Sequence, residues 1–164
     1  MATKLEQELR TAAKHLGCWS YNGNDELPLC DRIVCWNGLS ILFEAKQTIS
    51  HLLSLGCVTK NERKQLRNHQ EHGRGLSLVV IERNFSNRAR CWVITWDNWL
   101  HLETLPAKSI QLEDGKRPAQ LLEAVRVERP NSLGQAWNLL PILHPLAWQQ
   151  YYRLEAALDA LDLS

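Results

Sequence analysis

Leu5, Leu9, Ala12, Ala13 and Leu16 recur at helical spacing and Gly17 ends the run, which predicts an amphipathic helix over 4–16. The polar stretch 22–29 (NGNDELPL) predicts a loop. Residues 30–36 (CDRIVCW) and 39–46 (LSILFEAK) predict strands joined by Asn37-Gly38. Asn-Gly between apolar runs is a strong hairpin signal, because both turn positions take positive φ. Residues 47–59 predict a long connection with an apolar centre at Leu52, Leu53 and Leu55, and 60–72 a polar, basic helix. Residues 76–82 and 91–96 predict two more strands. Past Asp97 the pattern is mixed, with a short helix over 118–125 and a longer one over 145–162 that starts at Pro145. The order is helix, two strands, helix, two strands, then a mostly helical tail, which is a mixed α/β or α+β domain.

The hairpin fixes a register. With a two-residue turn, Trp36 pairs with Leu39 and Asp31 comes opposite Glu44, with Cβ atoms about 4.5–5.5 Å apart. Alternation puts Lys46 on the same face, with Ile33, Cys35, Ser40 and Leu42. The other face carries Val34, Trp36, Leu39, Ile41 and Phe43, so the hairpin is apolar on both sides and central. Two carboxylates facing each other there repel, and need a positive partner. Lys46 alone is one solution; a divalent cation such as Mg²⁺, which takes one or two carboxylates plus water and phosphate oxygens, is another. A bulge would break the register.

Length and composition change this picture little. The chain has 164 residues, 45% hydrophobic and 23% charged, an ordinary globular balance that fits one domain. The expectation is a single domain over 1–164, with a core about 4–100 and a helical extension about 101–164. The first ten residues hold no apolar signal region and no stretch reaches the roughly 20 apolar residues of a membrane span, so a cytoplasmic protein is expected. The five cysteines (Cys18, Cys30, Cys35, Cys57, Cys91) are odd in number and form no CxxC pair, which predicts buried free thiols. Net charge is only +1, but residues 60–90 hold eight Lys and Arg against three Glu, locally +5. That segment can draw a polyanion to one face, or can simply be solvated.

Asp31 followed by Glu44-Ala45-Lys46 resembles the signature of the PD-(D/E)xK nuclease superfamily, and Phe43–Thr48 (FEAKQT) resembles that motif in RecU-type Holliday junction resolvases. Leu5-Glu6-Gln7-Glu8-Leu9 is similar to the first helix of RecU-like and archaeal resolvases, which carries a glutamate near the site. Lys60-Asn61 with Gln65–His69 resembles the family's following helix, where a glutamine points toward the metal region. The likeness covers roughly residues 5–82. Two departures stand out: the long RecU insertion before the acidic strand is absent, and Cys30-Asp31 replaces Pro-Asp.

The resemblance implies a restriction-endonuclease-like αβββαβ core with a mixed central sheet and a mostly helical C-terminal tail. It implies that Asp31, Glu44 and the Ala45 carbonyl hold Mg²⁺, with Mn²⁺ able to substitute, while Lys46 positions the attacking water. Glu6 is the better helix-borne carboxylate than Glu8, lying about 20° from Ala13 on a helical wheel; the plainer account is a first-turn acid favoured by the helix dipole. Gln65 is expected to hydrogen-bond near the metal or hold Lys46, or else to be a surface residue. Lys60, Arg63, Lys64, Arg67 and Arg74 are expected to contact phosphates, giving affinity without sequence information. His69 and His72 are expected at the surface or facing DNA, and the tryptophans mainly in packing. Leu52, Leu53 and Leu55 are expected as a flap or dimer contact, and the helix with Leu146, Trp148 and Tyr151 on the sheet or on a second subunit. The implied protein is a bacterial or phage-encoded endonuclease that cuts four-way junctions or other branched DNA as a homodimer, without a membrane partner. A restriction-like or flap nuclease, or an inactive DNA-binding module, stays open at this level.

Overall fold

The computed structural model describes residues 19–21, 32–36, 38–72, 74–85, 88–128 and 135–162. Strands β1 (Trp19–Tyr21), β2 (Arg32–Trp36) and β3 (Leu39–Thr48) run antiparallel to one another. Gly38, at φ +80°, makes the turn from β2 to β3. The register pairs Trp36 with Leu39, Val34 with Ile41 and Arg32 with Phe43, as a two-residue turn requires.

From β3 the chain crosses over through β4 (Leu52–Ser54), a 3-10 turn (Leu55–Cys57) and helix α1 (Lys60–Glu71), and returns as β5 (Leu76–Phe85), parallel to β3. A parallel neighbour demands such a long connection. β5 is apolar on both faces, with Leu78 to Ile81 all at 0% exposure, as befits a strand covered on both sides. β6 (Arg88–Thr95) pairs antiparallel to β5, helix α2 (Trp96–Thr104) follows, and β7 (Ser109–Gln111) pairs with β4. β8 (Leu122–Glu128), β9 (Gln135–Asn138) and helix α3 (Leu140–Asp162) complete the described elements. The main sheet runs β1-β2-β3-β5-β6-β8-β9 and is mixed, as expected.

The two faces of the sheet build two cores. Leu42, Val79, Ile81, Trp92 and Ile94 pack against Leu66 of α1, Trp96, Trp99 and Leu102 of α2, and Leu53 and Leu55. Val34, Ile41, Phe43, Leu78, Val80 and Val93 pack against Trp137, Leu139, Ile142 and Leu143, which bring in α3. The hairpin faces thus divide as the alternation predicts. Trp92, Trp96 and Trp99 are almost wholly buried, each with a truncation cost of about 3–5 kcal/mol.

Several expectations are corrected. Residues 122–128 are strand, not helix: a short Leu-Glu-Ala run favours helix only weakly, and pairing with β6 and β9 overrides it. Trp96 opens α2 rather than ending a strand, because the Thr95 side chain caps the helix by accepting the Asn98 amide. The last helix begins at Leu140, where the Asn138 side chain accepts the Leu140 amide, and Pro145 lies inside it. Leu53 and Leu55 are core, and only Leu52 is exposed, so no apolar flap forms there. Cys91 is buried, but Cys57 is half-buried and Cys35 exposed. No described helix is long and apolar enough to cross a membrane.

Candidate active site

β3 carries Glu44 and Lys46 on the face that looks toward α1, while Ala45 between them turns to the opposite core. Glu44 is only 3% exposed. Lys46 Nζ donates to Glu44 Oε1 at 2.7 Å and to Glu62 Oε2 at 2.9 Å. Glu62 is fixed by the start of α1: its Oε2 accepts the Thr59 amide at 2.8 Å, and the Thr59 hydroxyl accepts the Glu62 amide at 3.4 Å. This reciprocal capping box satisfies two of the helix's unpaired amides. One ammonium therefore sits between a buried strand carboxylate and a carboxylate anchored at a helix N-terminus.

Burial alone would lower the Lys46 pKa, but the hydrogen bonds and charges of Glu44 and Glu62 outweigh it and hold the ammonium above its ordinary value. Burial would raise the Glu62 carboxyl, yet the Lys46 hydrogen bond, the Thr59 amide and the Lys46 charge bring it below the usual range. The neighbouring Cys57 thiol is pushed up by burial, which keeps it protonated and a poor ligand.

Asp31 and Glu6 lie outside the described residues. Gln65 is half-buried on the α1 flank that also carries Glu62 and His69, three residues after the first and four before the second. Lys60, Lys64 and Arg67 are exposed and recur at i, i+4, i+7, one stripe along α1 turned away from Leu66. Arg74 is exposed beyond the helix end at φ +51°. Arg63 has a different task from phosphate contact: its guanidinium donates to Val58 O at 2.8 Å and Leu55 O at 2.9 Å and pairs with Glu103. Farther along the basic segment, Arg90 is taken up by Asp114 and Glu123. The linear charge run is thus partly neutralised by folding, and its exposed remainder is concentrated on α1.

His69 is corrected from surface to interior. Its Nδ1 lies 2.9 Å from Ser77 Oγ, whose hydroxyl donates to Leu66 O at 2.8 Å, so Nδ1–H is the donor. Nε2 is then the acceptor for the Ser40 hydroxyl. Burial pushes the imidazole below its ordinary pKa. Gly75 is required beside it, since a Cβ there would collide with the His69 ring and stand 2.7 Å from Ser40 O. His72 is exposed, as expected.

The donor chemistry fits a hard divalent cation: Glu44 is a carboxylate held nearly dry at a strand position, and oxygen donors are what Mg²⁺ selects. Among the described residues no group of three His, Cys, Asp or Glu side chains is clustered for metal binding, so a complete ligand set draws on backbone or on residues beyond them.

The fold has a known counterpart. The chain is similar to the structure of Hjc, a Holliday junction resolvase from the archaeal hyperthermophile Archaeoglobus fulgidus, with a TM-score of 0.51. The match covers 74% of this chain and 90% of that one, at 16% identity. This is the restriction-endonuclease-like fold. No protein-family model matches the chain, and no curated protein matches it in sequence.

Two site residues escaped the sequence reading. Glu62 was visible only as a charge, although Thr59-x-x-Glu62 is a capping-box pattern that could have placed it at a helix start next to the ExK strand. His69 carried no such signal, because Ser40 and Ser77 reach it only through the tertiary fold.

Proposed function

We propose that this chain is a divalent-metal-dependent endodeoxyribonuclease of the resolvase type, a single domain that cuts four-way junctions or other branched DNA as a homodimer. The observation that carries the proposal is the Lys46 ammonium held against buried Glu44 on one strand, in a fold shared with a junction resolvase. Continuing the observed β2–β3 register by one pair would set Asp31 opposite Glu44, which is the expected acidic pair.

When bound by Glu44, the Ala45 carbonyl, Asp31 and Glu6, Mg²⁺ or Mn²⁺ supplies Lewis acidity toward a phosphodiester and a water made nucleophilic at neutral pH. The chain's own groups do the rest. Lys46, with three donors and an exposed fraction of 16%, can hydrogen-bond a water and a phosphate oxygen while remaining charged. Gln65, on the α1 flank above β3, supplies a neutral amide to the same space. Lys60, Lys64 and Arg67 present a stripe of cations for backbone phosphates, with Arg74 extending it. A dimer suits a junction, because two strands related by two-fold symmetry must be cut.

The test is cleavage of a synthetic four-way junction with Mg²⁺, beside flap and linear duplex substrates. Nicking of the junction by wild type and its loss in Asp31→Asn are expected. Absence of cleavage by wild type, or full activity of Asp31→Asn, would refute the proposal; equal cutting of plain duplex would overturn the preference for branched DNA.

A further inference from the structure

We infer that Glu62 is a positioning residue for this site: it draws the Lys46 ammonium off Glu44 so that the carboxylate can take a divalent cation. The inference rests on the nuclease reading only for the identity of the chemistry; the arrangement itself is independent of it.

Glu44 is buried and its Oε1 accepts Lys46 Nζ at 2.7 Å. A cation arriving at that carboxylate competes with the ammonium, because two positive charges at that distance repel. Lys46 must then keep a second anchor or swing into solvent. Glu62 is that anchor, at 2.9 Å. It is held rigidly: the Thr59 amide fixes the same Oε2, and the capping box fixes the backbone from which the side chain springs. Thr59 to Arg67 is also the stretch that carries the exposed stripe Lys60, Lys64 and Arg67. The element that meets a polyanion and the element that steers the ammonium are therefore one helix start.

Glu62→Gln isolates the charge, since Gln at this position still completes a capping box. Mn²⁺ binding is measured by calorimetry, without DNA, for wild type, Glu62→Gln, Lys46→Met and the double variant. Glu62→Gln is expected to weaken Mn²⁺ binding about threefold to tenfold, because Lys46 then rests wholly on Glu44. In the Lys46→Met background the same change is expected to do nothing, giving a strong coupling in the cycle. A Glu62→Gln effect of equal size in both backgrounds would show Glu62 acting on the metal directly and overturn the inference. So would unchanged Mn²⁺ affinity in Glu62→Gln. In a second arm, single-turnover cleavage of junction DNA is expected to slow about tenfold in Glu62→Gln with DNA affinity unchanged, and no further in the double variant than in Lys46→Met. If wild type cuts no DNA, the nuclease reading fails while the Mn²⁺ cycle still decides the role of Glu62.

Discussion

Lys46→Met should destabilise the apo protein and, unusually for a site substitution, let metal repair the damage. The change leaves Glu44, 3% exposed, as a buried carboxylate with its ammonium gone and Glu62 as a like-charged neighbour. Removing one partner of a fully buried pair costs about 3–5 kcal/mol, whereas an exposed pair contributes no more than about 1 kcal/mol. The side chains of Lys46 and Glu62 are 16% and 27% exposed, between those limits, so about 2–3 kcal/mol is expected. For a chain of this size each kcal/mol moves Tm by about 2–4 °C, so a fall of about 4–12 °C in EDTA follows. A divalent cation at a hundred times its Kd returns about 2.7 kcal/mol. The rise in Tm on adding Mn²⁺ should therefore be larger in Lys46→Met than in wild type, where an ammonium must first be displaced. Thermal melts of both proteins in EDTA and in Mn²⁺ provide the measurement. A variant that melts within about 1 °C of wild type in EDTA, or one whose metal-induced rise is no larger than wild type's, would refute the electrostatic account of the site.

Three further outcomes follow from the structure. Gly75→Ala should lower stability by about 1–3 kcal/mol, because a Cβ would run into the His69 ring and Ser40 O; a denaturant midpoint equal to wild type would contradict the close approach. His69, with its pKa depressed by burial, should make the fold lose stability as pH falls from the unfolded imidazole value near 6.5 toward the lowered folded value, and contribute no pH dependence above it. Denaturation curves of His69→Gln should show a flatter acid limb; an identical limb would show that other groups set it. Replacing Lys60, Lys64 and Arg67 by Ala should leave Tm unchanged but reduce the salt dependence of DNA binding by about one counterion for each phosphate-bound cation removed, and an unchanged slope would move the DNA track elsewhere.

The hairpin was legible in the sequence because its information is local: Asn37-Gly38 sets the turn, and alternation then assigns every residue from Arg32 to Phe43 its partner and its face. The ExK strand and the basic helix were legible for similar reasons, one from its apolar run and the other from its polar run after Thr59. Residues 122–128 were not, since a segment with ordinary helix formers becomes a strand only because β6 offers it an edge. Arg63 looked like any other cation in a basic stretch; its commitment to Leu55 O, Val58 O and Glu103 needs a tight turn and a second helix brought alongside. The site itself was half legible. Glu44 and Lys46 share a face by alternation alone, but the Glu62 contact depends on where a crossover helix lands, which periodicity does not encode.

The reverse side of the ExK strand has its own polar tie. Gln47 donates to fully buried Glu82 at 2.7 Å, Arg126 of β8 reaches the same carboxylate at 3.3 Å, and the Arg126 guanidinium lies 4.4 Å from the Trp137 ring centroid on β9. The residue next to Lys46 is thereby moored, through one carboxylate, to strands far downstream in the chain. Trimming the chain back to its superfamily-like first half would strip that mooring, strand a dry anion in the middle of the sheet and leave the ExK strand slack. The C-terminal third is a buttress, and a smaller working domain cannot be carved from this protein by cutting it away.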